Sequence, residues 1–105
     1  RERPDATLAV PSPEPRPVYV ALAEGGSARE AFGLVRELRV RGVSAELEQA
    51  GRSLKGQLKH ASRLGARSVV IVAGDGLRVR DMATRDERPA GSAEEAVTAV
   101  VEGAA

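Results

Sequence analysis

Two uninterrupted apolar runs, residues 18–23 and 68–73, constrain the fold of this chain more than any other feature of its sequence. They read Val-Tyr-Val-Ala-Leu-Ala and Ser-Val-Val-Ile-Val-Ala, and neither shows the polar alternation of a strand with one face in water. Runs of this length are typical of strands buried on both faces, as in parallel sheets covered by helices. We therefore predict a sheet with helices on both sides.

Two segments with helical start and stop signals lie between these runs. Ser27 and Glu30 have capping-box spacing and open a helix that ends at Gly42. Its predicted apolar stripe comprises Ala28, Ala31, Phe32, Val35 and Leu38. Ser53 is placed to cap a second helix that ends at Gly65. The stripe of this helix comprises Leu54, Leu58, Ala61 and Leu64.

The remaining elements have weaker signals. Residues 44–48 alternate as a short second strand, and residues 77–82 alternate with arginines as a half-exposed strand. Residues 83–89 would return as its hairpin partner, and Ser92 with Glu95 caps a last helix. Strands that alternate with helices in this way imply right-handed crossovers, and hence a three-layer α/β/α domain.

The first 17 residues differ from the rest of the chain and are predicted to be an inter-domain linker. Their prolines favour extended backbone and remove hydrogen-bond donors: Pro4, Pro11, Pro13, Pro15 and Pro17. Residues 18–105 then form the domain, which suits a chain of 105 residues.

Composition excludes several classes of function. The chain has no cysteine and one histidine, His60, so a thiolate or multi-histidine metal site is excluded within it. His60 also lacks the partners of a catalytic triad, and we expect no catalytic residue in this chain. No apolar run approaches the roughly 20 residues that cross a bilayer, and the charged start does not resemble a signal peptide, so the expected compartment is the cytoplasm.

Net charge does not indicate a nucleic-acid partner, because 16 basic and 15 acidic residues leave only +1. Two local features are more informative. Glu24, Gly25 and Gly26 follow the first predicted strand, where open α/β sheets collect ligands, but the phosphate-loop spacings are missing. The residues alone leave a tight structural turn and an RNA-facing loop equally open.

The second helix carries basic residues at spacings of three and four: Arg52, Lys55, Lys59 and Arg63. Such a stripe suits a phosphate backbone, although a solvated basic face is the commoner reason for it. Gln57 and His60 flank the stripe and are candidates for hydrogen bonds to a base.

The segment 52–72 resembles the central signature of the histidyl-tRNA synthetase anticodon-binding domain. The family pattern S-L-K-x-Q-L-K-x-A is matched by residues 53–61, Ser-Leu-Lys-Gly-Gln-Leu-Lys-His-Ala, and its L-G-A and buried strand by residues 64–66 and 68–72. Residues 79–84, Val-Arg-Asp-Met-Ala-Thr, are similar to the family's V-x-V-K-D-M-x-T-G, and the resemblance extends over about 18–102. Two loops depart from it: the turn at 74–76 is shorter, and Arg85 follows Thr84 where the family has glycine.

The resemblance implies a five-stranded mixed sheet of order 2-1-3-4-5, with strand 4 antiparallel and three flanking helices. It implies a tRNA-binding module for the anticodon stem-loop of histidine tRNA, attached to a class II catalytic domain in a homodimeric parent. ATP and Mg²⁺ would belong to that catalytic domain, and no cofactor is expected in this chain. We assign base-edge contacts to Glu24, Gly25, Gly26, Glu48, Gln49 and Ser53, and phosphate contacts to Arg52, Lys55 and Lys59.

Two other functions remain open at this point. The regulatory subunit of ATP phosphoribosyltransferase resembles the synthetase but does not charge tRNA, and it would use the domain for regulation or interaction. A flavodoxin-like ligand-binding domain is disfavoured, because no phosphate-loop spacing is present.

Overall fold

A computed structural model describes residues 16–48 and 53–103 and shows a five-stranded sheet between two helical layers. The elements in chain order are β1 Val18–Leu22, α1 Ala28–Val40, β2 Ala45–Leu47, α2 Leu54–Leu64, β3 Ser68–Ala73, β4 Gly76–Asp81, β5 Glu87–Ala90 and α3 Ala93–Gly103. Residues 1–15 of the predicted linker, and Gln49 and Arg52 of the predicted site, lie outside the described residues.

The strands are ordered β2-β1-β3-β4-β5 across the sheet. β1 runs parallel to β2 and β3, whereas β4 is antiparallel to both of its neighbours. The predicted order and the antiparallel fourth strand are therefore confirmed. Because β1, β2 and β3 are parallel, the connections that follow them leave the sheet at one edge, called here the carboxyl edge.

The two apolar runs form the centre of the sheet, as predicted. β1 is flanked by β2 and β3, and its residues 18–21 are buried, as are residues 69–72 of β3. One core lies between the sheet and α1 with α3, and a second lies between the sheet and α2. Burial on both faces explains why neither run alternates with polar residues.

α1 begins and ends near its predicted bounds, but its buried face differs in part from the predicted stripe. The Oγ of Ser27 accepts a hydrogen bond from the N–H of Glu30 at 3.2 Å, which confirms the cap. Phe32, a member of the predicted stripe, is 60% exposed, whereas Leu34, which the predicted stripe does not include, is buried. The buried residues of α1 centre on Ala31, and the next residue lies about 100° around a helix, toward solvent.

α2 packs more shallowly than its predicted stripe suggests. Its cap is confirmed, and Gly65 ends it in the left-handed conformation with φ 76°. Ala61 is buried, Leu54 and Leu58 are half-buried, and Leu64 is 44% exposed. Among the described helices α2 lies alone on its face of the sheet, so no neighbouring helix covers its outer flank.

The turn between β4 and β5 depends on Asp81. Its carboxylate accepts hydrogen bonds from the N–H groups of Ala83 at 2.8 Å and Thr84 at 3.2 Å. The Oδ1 atom of Asp81 therefore organises this turn. Arg85 has φ 68°, a left-handed backbone conformation that side chains disfavour, at the position where the family pattern has glycine.

Candidate nucleic-acid interface

The loop after β1 is packed tightly against the hairpin between β3 and β4. A Cβ placed on Gly26 would lie 2.1 Å from the carbonyl oxygen of Val72, and one on Gly25 would lie 3.1 Å from the Cα of Gly74. Gly25 also has φ +79°. Both glycines are therefore required by the turn itself, whereas the side chain of Glu24 is exposed at the carboxyl edge.

The end of β2 places Glu48 in the interior. Its side chain is 5% exposed, and its carboxylate accepts a hydrogen bond from the hydroxyl of Tyr19, which is 2% exposed. The N–H of Glu48 donates to the carbonyl of Val20 at 3.0 Å, so its backbone continues the sheet ladder. To contact a base, as the sequence predicted, the carboxylate would have to leave Tyr19.

Ser53 and the lysines of α2 lie on the surface. The Oγ of Ser53 accepts from the N–H of Gly56 at 3.2 Å, so the predicted contact residue also caps the helix. Lys55, Lys59 and Arg63 are exposed and recur every four residues, which is a rise of ~6 Å along the helix axis. The predicted basic stripe is thus a continuous solvent-facing surface, as far as the structure describes it.

The helices α2 and α3 carry charges of opposite sign. α2 contains no Asp or Glu, and its first turn lacks the acidic residue that usually complements the helix dipole. α3, on the opposite face, carries Glu94, Glu95 and Glu102 and no basic residue. A net charge of +1 therefore conceals a positive α2 surface and a negative α3 surface.

Gln57 has a role that its polar character did not reveal. It is 1% exposed, and its side-chain amide forms two hydrogen bonds of 2.7 Å with the backbone N–H and C=O of Leu22. The spacing to Leu54 and Ala61, three and four residues, places it on the sheet-facing side of α2. That spacing is the signal by which the sequence could have shown its burial.

His60 also packs inward rather than toward solvent. It is half-buried, and its ring contacts that of Tyr19 edge-on, with the centroids 5.7 Å apart. The two residues that flank the basic stripe in sequence, Gln57 and His60, are thus held by the domain itself. Of the predicted site residues that the structure describes, Glu24, Ser53 and Lys55 are exposed near the carboxyl edge, and α2 carries Lys59 and Arg63 away from it.

Comparison with protein families gives one match over most of the chain. The sequence model described as "Anticodon binding domain" matches residues 18–103. A histidine–tRNA ligase from Anaeromyxobacter dehalogenans is 38% identical over 84 residues, which is 74% of this chain and 20% of the relative. A histidine–tRNA ligase from Desulforamulus reducens is 47% identical over 55 residues, 52% of this chain and 13% of the relative.

Solved structures show the same architecture. Apo histidyl-tRNA synthetase from S. aureus aligns with a TM-score of 0.67 and 26% identity, over 87% of this chain and 23% of that one. The histidyl-tRNA synthetase of Nostoc aligns with a TM-score of 0.73 at 17% identity, over 89% of this chain and 23% of that one. The RNA-binding domain of threonyl-tRNA synthetase from Cryptosporidium parvum aligns with a TM-score of 0.72 and 13% identity, over 84% of this chain and 23% of that one. At these low identities, the Nostoc and Cryptosporidium structures show similarity of fold alone.

Proposed function

This chain belongs to the anticodon-binding domain family, and from this premise we propose that it is the tRNA-binding module of a histidine–tRNA ligase. Its target would be the anticodon stem-loop of histidine tRNA. The observation that carries the proposal is the placement of an unbroken basic surface on α2 beside the loop that follows β1. Proteins read RNA sequence mainly from splayed single-stranded bases while basic groups hold the phosphates, and this edge offers both kinds of contact.

Phosphate contacts are proposed for Lys55 and Lys59, with Arg52 extending the same series in sequence. Lys55 lies in the first turn of α2, where its charge opposes the positive end of the helix dipole. A bound phosphate would relieve that repulsion and release counterions from the RNA. Anion binding therefore offsets the electrostatic repulsion between Lys55 and the helix dipole.

Base-edge contacts are proposed for the polar groups around the basic surface. The exposed carboxylate of Glu24 and the backbone of Gly25 and Gly26 lie at the carboxyl edge, and Ser53 opens α2 at the same edge. Gln49 belongs to the same proposal by its place in the sequence. For Glu48 the buried hydrogen bond with Tyr19 favours support of this edge from inside over direct contact with a base.

The rest of the parent protein is also a proposal, because the chain spans only 13–20% of the length of the two curated relatives compared with it. A class II catalytic domain would form histidyl-adenylate from ATP with Mg²⁺ and transfer histidine to the tRNA, within a homodimer in the cytoplasm. Both relatives are histidine–tRNA ligases, and this favours the synthetase over the regulatory paralogue of ATP phosphoribosyltransferase.

The test is a titration of this chain with the anticodon stem-loop of histidine tRNA and with the same stem carrying a scrambled loop. We expect the native loop to bind more tightly. Reversal of charge in Lys55→Glu with Lys59→Glu should weaken binding at moderate salt at least about tenfold. The plot of log affinity against log salt should become less steep by about 1.4, since two phosphate contacts are lost and each contact to a single strand contributes about 0.7 to the steepness.

A matched control reverses the charge of two exposed arginines on α1, which lies on the other face of the sheet. The pair Arg29→Glu and Arg36→Glu changes the net charge by the same amount but leaves α2 intact. If both double variants bind equally, or if the lysine variant binds as tightly as the unmodified chain, the assignment of the phosphate contacts is wrong. Equal affinity for native and scrambled loops would contradict anticodon recognition itself.

A further inference from the structure

The buried amide of Gln57 joins the two parts of the proposed RNA-binding edge. Leu22, its partner, is the last residue of β1 and directly precedes the loop that carries Glu24. Gln57 itself lies in α2 between Lys55 and Lys59. One side chain therefore connects the strand end that bears the loop with the helix that bears the lysines.

Leu22 lies beyond the part of β1 that pairs with the described residues of β2, and its backbone bonds to Gln57 there. Among the described residues, Leu47 is aligned with Val20, and the N–H of Glu48 donates to the carbonyl of Val20. The N–H and C=O of Leu22 point to the same side of β1 as those of Val20, because strand residues alternate. The Gln57 amide supplies one donor and one acceptor there, as a further residue of β2 would.

α2 has few other contacts that would determine its position on the sheet. Apart from Gln57, only Ala61 is fully buried along the helix, and its leucines remain partly or largely exposed. Apolar contacts are non-directional, so they resist separation of a helix from a sheet more than rotation or sliding. The two 2.7 Å hydrogen bonds from Gln57 to the backbone of Leu22 are directional, so they oppose both rotation and sliding of α2.

We infer that Gln57 is a positioning residue of the RNA interface, and this inference rests on the proposed function. Gln57 does not touch RNA; it sets the distance and angle between the first loop and the lysines of α2. Lys55 and Lys59 lie about 200° around the helix axis from Gln57, so they project away from the sheet. A rotation of α2 therefore displaces the lysines directly relative to Glu24.

The test compares Gln57→Leu, which removes both hydrogen bonds, with Val97→Ala, which destabilises the core on the opposite face of the sheet. Binding is measured at a temperature where both variants are folded, with the anticodon stem-loop of histidine tRNA as the probe. We expect Gln57→Leu to lose affinity by about tenfold, a common size for coupling between neighbouring contacts. Val97→Ala should bind as the unmodified chain does, and amide exchange should accelerate at Leu22 only in Gln57→Leu.

A second variant separates positioning from general loss of structure. In Gln57→Glu the ionised carboxylate still accepts from the N–H of Leu22 but cannot donate to its carbonyl. Burial raises the pKa of a glutamate, so acidification from about pH 9 to about pH 5 protonates it and restores the donor. The affinity of this variant, relative to the unmodified chain at each pH, should therefore recover on acidification, which a purely structural loss would not do.

The outcomes distinguish this inference from the proposed function. If the unmodified chain does not bind the stem-loop, the proposed function and the inference both fail. If it binds and folded Gln57→Leu binds within about twofold of it, or Val97→Ala loses as much affinity, only the inference fails. Should Gln57→Leu not fold, the pH series of Gln57→Glu decides, and absence of recovery overturns the inference.

Discussion

Replacement of Gly26 by alanine should destabilise the domain strongly, because the added methyl group has no space. Its Cβ would lie 2.1 Å from the carbonyl oxygen and 2.8 Å from the carbonyl carbon of Val72. Val72 is a backbone position of the central strand β3, so no side-chain rotation can relieve the contact. The loop must therefore move away from the sheet.

The size of the effect depends on the hydrogen bonds that the loop makes. The N–H of Gly26 donates to the carbonyl of Ala23 at 2.9 Å, the N–H of Ala23 to Val72 at 2.8 Å, and the N–H of Gly74 to Glu24 at 3.1 Å. Loss of two or three bonds, each worth about 1 kcal/mol, predicts a decrease of about 3 kcal/mol in the free energy of unfolding. That is a large part of the ~5–15 kcal/mol that stabilises a domain.

The assay is equilibrium unfolding in urea, followed by circular dichroism. With an m-value of about 1.5 kcal/mol per molar, the midpoint of Gly26→Ala should fall by about 2 M. Gly33→Ala is the matched control: a Cβ at this exposed mid-helix position meets nothing within 4 Å, so the variant should gain about 0.8 kcal/mol of helix propensity. A Gly26→Ala midpoint within about 0.3 M of the unmodified chain would refute the steric argument.

Two further predictions concern the strained turn and the buried polar pair. Arg85→Gly should stabilise the domain by about 1 kcal/mol, because glycine adopts the φ of 68° without the side-chain penalty; an unchanged thermal midpoint would contradict this. Tyr19→Phe removes the hydroxyl donor of the buried carboxylate of Glu48 and should cost about 1–3 kcal/mol. A double-mutant cycle with Glu48→Gln measures the coupling, and additive losses would argue against a direct interaction.

The predictions that succeeded were those whose signals are local in the chain. The caps at Ser27 and Ser53 and the left-handed stop at Gly65 depend on groups within a few residues of each other, and all three are present. The same holds for the apolar runs of β1 and β3, which carry their own signal of burial on both faces. The strand order came from the family resemblance, since no local signal specifies which strands become neighbours.

The basic surface could be predicted in part. Exposure of Lys55, Lys59 and Arg63 follows from helical spacing alone. The significance of this surface depends on where the acidic residues lie, since the 15 that balance the net charge are spread over the rest of the chain and none lies in α2. Summed charge contains no information about position, and so composition hid the feature that supports RNA binding.

By itself, the sequence determined the element types, their caps and the membership of residues 18–103 in an RNA-binding family, because these depend on periodicity and on short-range hydrogen bonding. Only the tertiary structure decided the roles of Gln57, Glu48 and Gly26. Each depends on a partner far away in the chain: the backbone of Leu22 in β1 for Gln57, the hydroxyl of Tyr19 for Glu48, and the backbone of β3 for Gly26. A polar side chain or a glycine looks like a surface or loop residue until the fold brings that partner to it.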